Sequence, residues 1–143
     1  MSRPRIAQER RPLSITRDPE TIRALESRAT DGVISAALHR LVARYEELIR
    51  RAAPPLSDDE VAVCADALRA THVEPWAIAH LSEEIEEALD HRESDLTGGN
   101  EMIEDGRVEV EKMRARLPRD YAGQLALLDL VDRWWVTNSG AAV

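Results

Sequence analysis

Aromatic side chains are scarce in this sequence: they make up 3% of its 143 residues, and Phe is absent. A core must therefore be built from Leu, Val, Ile and Ala. Cysteine is nearly absent as well. Cys64 stands alone, which excludes an intrachain disulfide and suits a reducing compartment. Apolar runs are never longer than a few residues, far short of the roughly 20 that cross a bilayer. Met1 to Arg11 has no apolar signal core, so the chain is expected to be cytoplasmic. Lysine is also missing but for Lys112, eighteen of the nineteen basic residues being Arg. A GC-rich coding bias is the simplest account of that, because it holds in both halves.

What is present is ordinary globular material, 43% hydrophobic and 32% charged, enough for one medium domain or two small ones. The net charge of −8 is unevenly placed. Residues 1–53 hold eleven Arg against seven acids, giving +4, while residues 54–143 hold eight basic residues against twenty acids, giving −12. A split of this size predicts a basic binding module joined to an acidic one. Arg3, Arg5, Arg10 and Arg11 form a basic arm over residues 1–11, suited to following a phosphate backbone or a minor groove, or else a charged terminus with no role.

The region from Pro12 to Tyr45 has the most pattern. Leu13 and Ile15 alternate with Ser14 and Thr16, the period-two signature of a half-buried strand. Asp18 is a suitable N-cap and Pro19 a suitable first helical residue, so a short helix is expected over roughly 19–29, broken by Thr30-Asp31-Gly32. Ile34, Ala37, Leu38, Leu41, Val42, Tyr45, Leu48 and Ile49 then keep helical spacing, ending before Pro54-Pro55. These residues, over about 11–49, resemble the ribbon-helix-helix DNA-binding proteins of the Arc, MetJ and CopG type. The resemblance implies one strand and two helices per chain, a dimer whose paired strands form a ribbon in the DNA major groove, and base contacts from the outward strand positions Pro12, Ser14 and Thr16. Arg17 would turn to a phosphate, with Arg10, Arg11 and Ser35 adding contacts to double-stranded DNA. Read without the resemblance, Leu13 to Thr16 is an edge strand or an extended linker.

Beyond Pro54-Pro55 the pattern is helical throughout. Ser57-Asp58-Asp59-Glu60 reads as a capping box opening a helix with Val61, Cys64, Ala65 and Leu68 on its apolar face. A second helix is expected over about 75–91 with Ile78, Leu81, Ile85, Ala88 and Leu89 as its stripe. Ser94 to Asn100 is a polar loop, and a third helix over 101–117 carries Ile103, Val110, Met113 and Leu117 on one face. Pro118 stops it, and a last helix over about 119–136 lines up Tyr121, Leu125, Leu128, Val131, Trp134 and Trp135. The fold class is therefore mainly α: a dimeric ribbon-helix-helix head over 12–53, a small acidic helical bundle over 56–137, and a tail over 138–143. Two adjacent indoles lie about 100° apart on a helix, so one of Trp134 and Trp135 is expected to anchor a partner interface, unless both pack within the bundle. The second half also resembles various uncharacterised bacterial and prophage-encoded proteins, which implies no activity.

Sites of chemistry are not evident. Cys64, His72, His80 and His91 lie eight, eight and eleven residues apart, matching no compact zinc pattern. Glu83, Glu84, Glu86 and Glu87 read as a solvated face. Gly98-Gly99 lacks the residues of a phosphate loop, and Ser14 and Ser35 have no triad partners. Neither an enzyme nor a cofactor nor a metal is called for. The leading expectation is a bacterial or phage DNA-binding regulator, a homodimer or a tetramer of paired dimers, its acidic half serving oligomerisation or partner binding. The alternatives are an antitoxin-type inhibitor whose acidic half occupies a basic protein partner, a conjugation or partition accessory protein, and a purely structural helical protein.

Overall fold

A computed structural model describes residues 18–68, 73–94 and 109–138. Among these residues every regular element is helical. In chain order they are α1 (Pro19–Glu26), α2 (Ile34–Ala52), α3 (Asp58–Leu68), a 3-10 helix (Pro75–His80) that runs directly into α4 (Leu81–Ser94), α5 (residues 109–116) and α6 (Tyr121–Asn138). The chain divides into two compact units, Met1–Ala43 and Arg44–Val143, the division falling within α2.

The mixed head of strand plus helices expected from the sequence is corrected accordingly: no strand occurs among the described residues, and the architecture is all-helical. A strand draws its backbone hydrogen bonds from a neighbouring strand, and the described part of this chain supplies none. Leu13 to Thr16, the expected strand, lie outside the described residues.

In the first unit the local signals act as their chemistry dictates. The Asp18 carboxylate accepts hydrogen bonds from the Thr21 amide at 3.1 Å and the Thr21 hydroxyl at 2.9 Å, capping α1, and Pro19 opens the helix. Helix α1 stops at Glu26, three residues before the expected end, where the Ser27 hydroxyl donates to the Ala24 carbonyl. Gly32 then adopts φ +75°, a left-handed conformation that glycine enters without a Cβ penalty. The Asp31 carboxylate accepts from the Val33 amide, and α2 starts one residue later. Arg40 reaches back from α2 to donate to the Arg28 carbonyl at 3.0 Å. Leu25 and Ala37 are the buried side chains of this unit among the described residues.

The second unit holds the larger core. Helix α3 packs on α4 and α6, and the 3-10 helix packs on α4 and α6. Cys64, Ala65 and Leu68 from α3 meet Ile78, Leu81, Ile85 and Leu89, with Met113, Leu117, Leu127, Leu128 and Val131 completing the cluster. The predicted capping box forms: the Ser57 hydroxyl accepts from the Glu60 amide at 3.2 Å, and the Glu60 carboxylate accepts from the Ser57 amide at 3.0 Å. The same carboxylate takes a hydrogen bond from Arg116 at 2.9 Å. Arg114 pairs with Asp90 and Arg119 with Glu86, so three arginines tie the segment around α5 to α3 and α4.

A polar clamp lies inside this apolar packing. Gln124 is 3% exposed; its side-chain oxygen accepts from the Ser82 amide at 3.1 Å, and its nitrogen donates to the carbonyls of Arg119 and Asp120. The Ser82 hydroxyl donates to the Pro118 carbonyl at 2.6 Å. Ser82 stands where the 3-10 helix passes into α4, and Gln124 accepts its amide from across the bundle. Gly123 lets the turn close: a Cβ there would lie 2.6 Å from the Pro118 Cβ and 2.6 Å from an Asp120 carboxylate oxygen. Replacing Gln124 with Ala removes its buried bonds to the Ser82 amide and to the Arg119 and Asp120 carbonyls, and urea unfolding is expected to report a loss of about 1–3 kcal/mol.

Candidate functional site

The most exposed large apolar side chain among the described residues is Trp76, at 77%. Backbone geometry accounts for it. Pro75 begins the 3-10 helix, and the Ala77 amide donates to the Glu74 carbonyl at 2.9 Å. At three residues per turn, positions two apart lie about 120° around the axis. Because Ile78 is turned into the core at 7% exposure, Trp76 is turned out of it.

Trp76 borders a cavity of about 430 Å³ whose apolar wall is Leu68, Val73 and Ala77. Its other side is acidic. Leu81, Ile85 and Leu89 repeat every four residues toward the core, which puts Glu83, Glu84 and Glu87 on the opposite side of α4, where all three are exposed. Glu74 and His80 line the cavity with them, and none of the described lining residues is Arg or Lys. The His80 Nδ1 lies 3.4 Å from Glu83. The carboxylates of Glu83 and Glu84 in the first turn are favoured by the helix dipole, whereas Glu87 lies beyond that turn and repels both by helical proximity, about 0.2–0.5 kcal/mol per pair. Glu86, one position around the helix, is differently placed: it pairs with Arg119. The run of four glutamates thus splits into one structural ion pair and three carboxylates presented beside an indole.

Other expected site residues fall elsewhere. Ser14, Thr16, Arg17, Arg10 and Arg11 lie outside the described residues, and Ser35 is exposed in the first turn of α2. Trp134 and Trp135 are both half-buried, stacked edge to face with centroids 5.4 Å apart and ring planes at 85°, and both pack against the core cluster. The indole nitrogen of Trp135 is buried without a hydrogen-bond partner. Sequence pattern does not single out Trp76, because it stands alone between Pro75 and Ala77 with no stripe around it. The one available signal is its position two residues before Ile78, on the wrong phase for the core.

The Cys64 thiol and the Tyr45 hydroxyl both have raised pKa values without forming a reactive pair. Burial, reinforced by the Glu60 charge, pushes the Cys64 thiol up to about 12, so it stays neutral and is a poor nucleophile. No group of three His, Cys, Asp or Glu among the described residues could hold a metal ion. Near the start of the second unit the Tyr45 hydroxyl donates to Asp129 at 3.3 Å, and burial followed by the Asp129 charge raises its pKa to about 12. Arg133 joins Asp129 at 2.9 Å and Glu46 at 3.3 Å. Comparison with protein-family models, curated proteins and solved structures finds no match to the chain.

Asp132 sits beside this group with its pKa raised by burial and then by Asp129. A raised carboxyl pKa means that the folded state binds the proton more readily, so this group opposes folding once both states are ionised. The penalty is relieved as pH falls through the raised folded value toward the ordinary value of 3.8. Asp132→Asn is therefore expected to stabilise the chain at pH 7, by less than about 1 kcal/mol because solvent screens a group this exposed. The difference from wild type should vanish when thermal unfolding is repeated in acid.

Proposed function

We propose that the chain is a non-enzymatic interaction protein whose acidic helical unit receives a cationic segment of a protein partner on the Trp76 face. The observation that carries this reading is an indole 77% exposed beside an apolar wall and three presented glutamates. Burying a Trp removes a large apolar area from water, and Trp is prominent among residues that dominate interface energies. An indole face also attracts guanidinium and ammonium groups, with about 0.5–2 kcal/mol to be gained as the site dries. Carboxylates at the rim then set register and reject acidic partners. A basic target of an inhibitor of the antitoxin kind fits this face equally well.

The test is titration of the protein with a fluorophore-labelled arginine-rich peptide at low salt, followed by anisotropy of the label and by tryptophan emission. Binding should shift the emission, weaken about tenfold in Trp76→Ala, as loss of a cation–π interaction and buried indole area predicts, and fade with added salt. Peptide binding unaffected by Trp76→Ala would remove the face from consideration.

A second reading, DNA binding and regulation, is favoured by one observation. Residues 1–17 hold five Arg against Glu9 alone, whereas residues 18–53 hold six basic and six acidic residues, so the +4 of the first 53 residues belongs wholly to the arginine-rich start. If those residues bind duplex DNA through its phosphates, the logarithm of affinity should fall linearly with the logarithm of salt. Replacing Arg10, Arg11 and Arg17 with Ala should flatten that slope by about one unit for each phosphate no longer neutralised, for every sequence alike. An unchanged slope excludes these arginines as phosphate ligands.

A further inference from the structure

We propose that the cationic segment received by the Trp76 face is residues 1–17 of a second copy of this chain, exchanged reciprocally so that two copies close as a pair. The inference rests on the reading of that face as a receptor for a cationic segment, and it names the occupant.

The argument is one of charge and composition within one sequence. Residues 1–17 carry Arg3, Arg5, Arg10, Arg11 and Arg17 against Glu9, a net +4. The face presents the exposed carboxylates of Glu83, Glu84 and Glu87, the opposite charge, with no Arg or Lys among the described residues of its lining. The apolar parts correspond too. Ile6, Leu13 and Ile15 punctuate the basic segment, and Trp76, Val73 and Leu68 supply an apolar counterpart on the face. Fully extended, 17 residues reach at most about 60 Å, ample to cross from one molecule to the next. Every copy carries one arm and one face. A reciprocal exchange therefore forms two equivalent interfaces related by a twofold axis, and the second forms at the effective concentration set by the first. A foreign basic partner has no such advantage, because the arm is always present in amounts equal to the face.

The experiment is sedimentation velocity of the full chain and two variants, each first checked for native helix content by circular dichroism. The face variant carries W76A, E83Q and E87Q, all at exposed positions. The arm variant carries R3S, R5S, R10S and R11S. The native chain is expected to dimerise in low salt and to dissociate at about 0.5 M, where the Debye length is a few ångströms. Each variant alone should be monomeric. Mixed in equal amounts they should recover a weaker dimer, seen at raised concentration, since one of the two interfaces is restored when the face variant's arm meets the arm variant's face. Should the triple face variant lose helix content, E83R with E87R takes its place, with the same expectation. A native chain monomeric at low salt, a dimer that persists in either variant, or a mixture that stays monomeric overturns the exchange. Adding an oligoarginine peptide to the arm variant separates this failure from failure of the underlying reading. If the peptide binds while the native chain stays monomeric, the face takes a foreign cationic partner and self-exchange is wrong. If the peptide does not bind either, both fall.

Discussion

The larger unit is organised around one buried amide. Gln124 binds the Ser82 amide at the start of α4 and two carbonyls of the segment preceding α6, while Ser82 holds the Pro118 carbonyl in return. Each group removed from water here has a partner, which matters because an unpaired buried polar group costs more than the net value of a hydrogen bond made. The clamp fixes where α4 begins relative to α6. That in turn fixes the direction of the 3-10 helix running into α4, and so the outward position of Trp76. Ion pairs around the clamp, from Arg116, Arg114 and Arg119, hold the intervening segment but lie nearer solvent and contribute less individually.

Local signals in the sequence are legible where a single residue type decides the geometry. Asp18 and Pro19 start α1, Gly32 makes the left-handed turn, and the Ser57–Glu60 box opens α3. Helical periodicity locates α2 and the buried stripe of α4. The signals that mislead depend on distant partners. A strand needs another strand, and alternation in Leu13 to Thr16 cannot say whether one exists. Gln124 reads as a solvated polar residue until Ser82, 42 positions away, is placed against it. Leu127 lies off the stripe expected for the last helix, yet it is fully buried, because α6 is surrounded by α3, α4 and the 3-10 helix and buries more than one face. The change from 3-10 to α geometry at Leu81 is also invisible in the pattern, since Ile78 and Leu81 suit either spacing.

Acidic residues in this unit serve two ends. Glu60, Glu86, Asp90 and Asp129 are each paired with arginine, which neutralises them where chain segments meet. Glu83, Glu84 and Glu87 face solvent on α4. Pairing thus separates the acids of the region into those joined to arginine and a group on α4 with no arginine partner among the described residues.

The burial of Cys64 has a practical corollary. Its thiol is fully enclosed and held neutral, and it is the single cysteine of the chain. The folded molecule thus offers glutathione or a neighbouring protein thiol no cysteine sulfur at its surface. Contacts made by the folded molecule are therefore held without a disulfide through this cysteine.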